Sequence, residues 1–450
     1  MTRKGAVFCA FLVVAMVLGG GGSPSALPEV LVQLGFAAAF VLWFAWATVD
    51  QAGMRAVPRA LYALAGVAIA LPLIQLLPMP PALWQALPGR EAQAGALAAI
   101  GEGGSWRSLS IAPHATFASL LAILPVAGAM LAASQLERRD RTAVAVAIVL
   151  VSLAGAGLGV LQMAGGPEEF RLYEKAHRGW LVAFHANRNA AADGLLIASL
   201  AMAVWTLGRA LRHGLSATGL GIFAIVQAVF LIALIMTGSR AGIALCLVVV
   251  AIQLAMFRSA GIGVGRRRSI AWLAGVFAIL AASFAWLSSA SRLSQVAERF
   301  DATSDFRTEL WTDTLTAIGV FFPAGSGIGT FAEAFLPSER LEVLDDLFPN
   351  RAHNDYLEFF LEAGILAPAA LLIGLFCLIS LVRSAYRASG GVFSPQILFS
   401  LGVLLVIALH SIVDYPLRNM AIAVLTGTAV GLLGSVGRSR FEPEKTEESG

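Results

Sequence analysis

The sequence predicts an all-α polytopic membrane protein with about twelve transmembrane helices. Composition is the first reason. Apolar residues make up 58% of the 450 positions and charged residues 13%, with a mean hydropathy of +0.78. Soluble domains average roughly 45–50% apolar residues, glycine included, and about 25% charged ones. A water-soluble enzyme and a disordered chain are both excluded, since disorder needs low hydrophobicity and high charge. The second reason is the spacing of long uncharged runs. The third is an uneven distribution of arginine and lysine between the loops that join them.

A helix needs about 20 mostly apolar residues to cross the hydrocarbon core. Twelve such runs occur: 5–22, 30–49, 60–77, 116–135, 142–164, 190–208, 217–236, 241–257, 269–289, 363–382, 392–413 and 419–437. Asp193 is the one Asp, Glu, Lys or Arg inside them, near an end of its run. Backbone N–H and C=O groups find no water there, which dictates helices. The Ala-, Val- and Leu-rich composition lacks the alternation of a barrel strand. Cys9, Cys246 and Cys377 each lie in an apolar run, so no disulfide framework or thiolate metal site is expected.

Cytoplasmic loops carry the excess of positive charge. With the N-terminus (Arg3, Lys4) inside, the inner loops hold Arg55, Arg59, Arg138, Arg139, Arg141, Arg209, Arg212, Arg258, Arg266, Arg267, Arg268, Arg383 and Arg387. The tail at 438–450 adds Arg438, Arg440 and Lys445, making 18 of the 31 basic residues. Both ends are then cytoplasmic, and the chain is one integral membrane domain over 1–450. Arg3-Lys4, the apolar stretch and small residues near Ser23–Ala26 also have the form of a secretory signal peptide. Removal of that segment leaves the remaining topology unchanged.

Three outer connections are long: 78–115, 165–189 and 290–362. Structureless loops beyond about 15 residues are functional or disordered. The loop before the tenth span, 290–362, holds 13 acidic residues and five arginines interleaved with Phe306, Trp311, Phe321, Phe322 and Phe331, so an ordered segment with short helices is expected. Arg292 and Arg299 read as ion-paired. In 306–318, Phe306, Leu310 and Ile318 share a helical face, with Trp311 and Leu315 at its edge, which fits a helix along the membrane surface. Gly325, Gly327 and Gly329 follow. Their backbone could cradle a phosphate, but no strand precedes them, and a tight turn is the preferred reading.

In His353-Asn-Asp-Tyr-Leu-Glu-Phe-Phe-Leu-Glu-Ala-Gly364, the positions His353, Leu357, Phe360 and Gly364 fall on one helical stripe. Asp355 and Glu358 have the spacing of an acidic first turn, which puts His353 at the helix mouth. Gly364 leaves room for another helix. Arg240, in Thr237-Gly-Ser-Arg-Ala-Gly242, sits in a very short turn between two spans, and Arg188, in Asn187-Arg-Asn189, begins the sixth. Charges at membrane depth are costly and face a cavity or a partner. Arg188, Arg240, Arg307, Arg351 and His353 all fall on the outer side, a set suited to a phosphorylated lipid, because guanidinium groups hold phosphate oxygens bidentately and stay charged. Anchoring Arg240 to bulk lipid headgroups is the simpler alternative. His410, Ser411 and Asp414 close the eleventh span and either orient the site or cap the helix, with the structural role preferred. His177 and His185 stand near Glu168, Glu169 and Glu174 without a zinc-type His-x-x-x-His spacing, so no metal is expected. His114 and His213 have no notable context.

These residues resemble the bacterial O-antigen ligase and O-antigen polymerase superfamily. The twelve spans and the long outer loop before the tenth are similar to that family, as is the signature of a basic residue, a short gap and His-x10-Gly. Here His353 and Gly364 fit it, with Arg340 or Arg351 as the basic residue. Thr237-Gly-Ser-Arg-Ala-Gly242 resembles the family's Ser-Arg-Gly segment. Arg307 with Leu310-Trp311, then Pro323 and Gly325-Ser-Gly-Ile-Gly-Thr-Phe331, resembles the following block. Asn187-Arg-Asn189 and His410-Ser-Ile-Val-Asp414 are similar to segments of one branch, although Ala190 and Ala191 replace a His-Phe pair. The likeness runs over roughly 180–420; the first 160 residues add only spans and a divergent loop.

The resemblance implies a GT-C-like fold and a metal-independent, inverting glycosyltransferase at the periplasmic face of the bacterial inner membrane, with no cofactor. It implies a glycan on undecaprenyl diphosphate as donor. The acceptor would be a hydroxyl of another glycan, of a lipid A–core sugar or of a protein. Membrane lipid is the surrounding partner, and nucleic acid has no part. His353 would be the catalytic base, a role suited to a side chain whose ordinary pKa is about 6.5. Arg240, Arg188, Arg307 and Arg351 would bind the diphosphate, supported by Asn354, Gly364, His410 and Asp414. The competing class is a small-anion transporter, which needs broken or charged helices at mid-membrane and often an inverted repeat. No such repeat is evident, and the charges gather at one surface.

Overall fold

A computed structural model describes residues 1–22, 26–49, 56–165, 169–174, 176–262, 307–343 and 349–436. The helices are α1 (Arg3–Leu18), α2 (Ala26–Val49), α3 (Arg59–Leu76), α4 (Pro81–Trp84), α5 (Glu91–Ala99), α6 (Pro113–Ala133), α7 (Arg138–Ala164), α8 (Arg188–His213), α9 (Ala217–Met236) and α10 (Arg240–Ser259). They continue as α11 (Arg307–Phe321), α12 (Phe331–Phe335), α13 (Asp355–Ala363), α14 (Leu366–Ala388), α15 (Pro395–His410) and α16 (Met420–Val436). A two-residue antiparallel pair, β1 (Pro78–Met79) with β2 (Arg107–Ser108), is the one sheet among the described residues.

The protein is an all-α polytopic membrane protein. Among the described residues, eight helices are long and apolar enough to cross a membrane. The 16-residue α1 and α15 and the 17-residue α16 are shorter apolar helices. Eleven of the twelve apolar runs coincide with helices; the run at 269–289, the first part of the 290–362 loop and the tail at 438–450 lie outside the described residues.

The buried centre is α8, whose residues from Asn189 to Ala203 are all buried. It packs against α7, α9, α10 and α15, so its apolar character is needed on every side. Asp193 therefore lies in the interior. The two ends of the bundle differ chemically. At one end Thr2 donates from its backbone N and its hydroxyl to Asp140, at 2.8 Å each, and Arg141 reaches Ser435 at 3.0 Å. At the other end Asn419 donates to the Gly20 carbonyl at 3.0 Å, and the N-termini of α8 and α10 meet the C-terminus of α15.

The segment 307–321 is a helix as its periodicity predicts, but its buried face points into protein. Leu310, Ala317 and Phe321 pack with Phe331, Phe335, Ala352 and Leu361, while Leu315 and Val320 are exposed. The Trp311 indole donates to the Ala352 carbonyl at 3.0 Å. The apolar stripe serves to hold α11 against α13, beside His353.

Candidate active site

His353 precedes α13 instead of lying on its stripe. The N-cap is Asn354, whose side-chain oxygen accepts from the backbone N of Tyr356 and of Leu357, both at 3.0 Å. His353 itself has φ +47°, a left-handed conformation that tertiary contacts must hold. Two of them are evident. Its Nδ1 lies 3.0 Å from Asp414 Oδ1, and its ring meets Tyr415 edge-on at 4.9 Å between centroids. The Asp355 N–H also donates to the Ser411 and Asp414 carbonyls, stitching the start of α13 to the end of α15.

The side chain of Asp414 is only 3% exposed. Burial works to raise its pKa, yet the hydrogen bond and charge of His353, together with His410 and Asn189, outweigh burial and hold it below the usual carboxylate range. A carboxylate accepting from Nδ1–H fixes the imidazole tautomer and leaves the lone pair on Nε2. Asp414 is thus a partner of His353, not a helix cap. Asn189 is close enough to help lower the pKa of Asp414, and Asn187 donates to the Tyr415 hydroxyl at 3.3 Å. The Asn187-Arg-Asn189 segment therefore embraces the Asp414-Tyr415 pair from the first turn of α8.

His410 takes a different partner. Its Nδ1 is 2.6 Å from Asp193 Oδ1, with both side chains 1% exposed. This pair ties α15 to α8 directly beneath the first and accounts for the charged residue within a span. It meets the requirement that a buried charge be paired.

The arginines divide into two groups. Arg188 and Arg240 are the first residues of α8 and α10. The Arg188 guanidinium lies 5.1 Å above the Trp180 ring, a cation–π distance. Trp180 covers Gly238, where φ is +62° and an added Cβ would lie 2.3 Å from the indole. Gly242 meets Ala192 so closely that a Cβ would lie 2.6 Å from its methyl. The two helix starts are therefore side by side, with their positive dipole ends together. Arg307, first in α11, is near enough for its charge to act on His410.

Arg351 and Arg418 form the second group, facing carboxylates of α13. Arg351 donates to Glu358 at 2.7 Å. Arg418, which the sequence reading passed over, donates to Glu362 at 2.5 Å and lies 3.2 Å from Glu358 and 3.9 Å from Asp355. Three acids at i, i+3 and i+7 share one face of α13; a stripe of that kind on a buried helix is the signal that demanded a nearby cation. Two arginines for three carboxylates leave one negative charge in excess. Burial accordingly pushes Asp355 up to about 7 and raises Glu362, while Glu358 stays below its usual range because both arginines overcome its burial. Asp355 and Glu358 occupy the first turn, as expected, but they bind Ser411, Arg351 and Arg418 and do not cap the helix. Arg340 pairs with Asp313 on α11.

The glycine run is a turn. Ser326 N and Gly327 N donate to the carbonyls of Leu361 and Glu362, and Ile328 N donates to Gln75. Those N–H groups are committed to protein, so they do not cradle a phosphate. Gly364 ends α13 at φ +54°, and a Cβ there would lie 2.2 Å from the Pro323 carbonyl. The close neighbour at Gly364 is thus this turn and not another helix. The N-terminal third also does more than span. Gln75 reaches Glu362 O at 2.9 Å, and the fully buried Arg90 donates to Leu109 O and Gly325 O while lying 5.3 Å from the Phe321 ring. These contacts brace the turn behind α13.

The described residues hold no cluster of three His, Cys, Asp or Glu suited to a metal ion. His177 Nδ1 accepts from the backbone N of Arg188 at 3.2 Å. His185 is buried.

Residues 225–372 match the family model described as O-antigen ligase. That segment is similar to the O-antigen ligase family. The match bears out the resemblance to the O-antigen ligase and polymerase superfamily and indicates glycan transfer of the ligase or polymerase type. It covers about a third of the chain and includes Arg240, Arg307, Arg351, His353 and Gly364. Arg188, His410, Asp414 and Arg418 lie outside it and join the matched segment through the contacts described above. Comparison with curated proteins gave no match.

Proposed function

We propose that this protein moves a glycan from undecaprenyl diphosphate to an acceptor hydroxyl at the periplasmic face of the bacterial inner membrane. The observation that carries the reading is the His353–Asp414 pair, set beside two helix N-termini that each begin with arginine. His353 Nε2 takes the proton of the acceptor hydroxyl as its oxygen bonds to the anomeric carbon. The bond from that carbon to the phosphate oxygen breaks, and undecaprenyl diphosphate leaves with the electron pair. One displacement inverts the anomeric centre. Arg188, Arg240 and Arg307, with the dipoles of α8 and α10, stabilise the charge growing on the diphosphate and supply what a divalent cation would otherwise supply. Arg351 has the weaker claim, because Glu358 already holds its guanidinium. Asp414 keeps the imidazole in its tautomer, and Asn354, Gly364 and the His410–Asp193 pair hold the backbone that presents it.

The purified protein should transfer glycan from a lipid-linked oligosaccharide donor with EDTA present, giving the inverted linkage by NMR. Transfer that appears only after a divalent cation is added would remove the metal-independent reading. Arg240→Lys should lose most of that transfer, since an ammonium cannot make the bidentate fork; near-normal turnover in the same assay would reduce Arg240 to a lipid anchor.

A further inference from the structure

At the end of the bundle opposite His353, α1, α2, α3 and α6 line a partly open pocket of about 240 Å³. Phe8, Phe11, Phe36, Phe40, Trp43 and Tyr62 line it. The rings are ordered: Phe11 meets Phe36 edge-on at 5.7 Å, and Phe40 stands 6.1 Å from Phe36. Gly128 makes room for Phe36, whose ring would lie 2.2 Å from a Cβ at that position. An apolar cavity of roughly 150 Å³ already stays dry and takes up small hydrocarbons, and leaving a larger one empty forfeits dispersion contacts on every wall. In a bilayer the available filler is a hydrocarbon chain.

Exposed arginines stand close in sequence to two residues of the lining. Tyr62 and Gln135 line the pocket. Arg59 lies three residues before Tyr62 and Arg138 three after Gln135, followed by Arg139, and all three arginines are exposed. Of the nearby acids, Asp140 is held by Thr2, and Glu137 and Asp140 cap α7. Exposed arginines select an anionic headgroup. It also separates this occupant from the glycan donor, whose diphosphate belongs at the other end of the bundle.

We infer that this cavity is a binding site for one acyl chain of an anionic phospholipid in the leaflet opposite the active site, with its phosphate held by Arg59, Arg138 and Arg139. The site is independent of the transfer chemistry and is tested by binding alone. Protein reconstituted in nanodiscs with equal phosphatidylglycerol and phosphatidylcholine, then released for native mass spectrometry, should retain one phosphatidylglycerol in excess over phosphatidylcholine. Ala132→Trp, which fills the cavity, should lose the bound lipid. The exposed pair Arg59→Glu/Arg138→Glu leaves the lining intact and should bring the two lipids to parity; it decides the matter if the tryptophan variant does not fold. Equal retention of both lipids by the wild type, no retention, retention of added undecaprenyl phosphate in their place, or undiminished phosphatidylglycerol in a folded Ala132→Trp protein would overturn the inference.

Discussion

Arg418→Leu should sharply lower the melting temperature of the detergent-purified protein and abolish transfer with it. The Arg418 side chain is 17% exposed, and its guanidinium is shared by Asp355, Glu358 and Glu362, the last two fully buried. Removing one partner of a buried ionic cluster leaves uncompensated charge and costs about 3–5 kcal/mol. Here three carboxylates would remain with Arg351 as their nearest cation. The start of α13 would move to water, taking His353 with it. Arg418→Lys should fall between the two, because one ammonium cannot span three carboxylates. A wild-type melting temperature for Arg418→Leu would show that α13 is held by its apolar contacts alone.

Asp414→Asn should leave folding and donor binding in place while lowering kcat strongly. The amide can still contact His353 Nδ1, but it no longer selects the tautomer with the lone pair on Nε2. In the serine-protease triad the corresponding change costs about 10⁴-fold. A loss of about 10²–10⁴-fold is expected here, the range for a general base, with the donor KM little changed. A kcat within a few-fold of wild type would remove Asp414 from the mechanism and leave it a structural residue.

The spans were legible because lipid imposes one rule on a long segment: no charge and every backbone group satisfied within it. That rule is local, so eleven runs read from residue type alone coincide with helices. His353 and Arg240 were legible from their places, a titratable side chain at the mouth of a helix with an acidic first turn and a cation in a very short turn between two spans. What escaped the reading was partnership. Asp193 stood out as the single acid within a span, yet nothing nearby in sequence names His410, 217 residues away, as its partner. Arg418 lies two residues after Pro416 in no recognisable motif, and its role emerges only when the acids of α13 are folded against it. The acidic first turn puts His353 at the helix mouth, where it lies, but periodicity carries no sign of its left-handed backbone or of the Asn354 cap. Gln75 and Arg90 lay within a segment without a motif, and only tertiary packing brings them to the glycine turn.

The central claim is that the His353 imidazole takes the acceptor proton at a site that binds a lipid-linked diphosphate. Single-turnover transfer with His353→Ala, run alongside donor binding by the same preparation, tests it most directly. The account predicts wild-type donor affinity, intact folding and product formation slowed by about 10²–10⁴-fold. Product formed at the wild-type rate would contradict it.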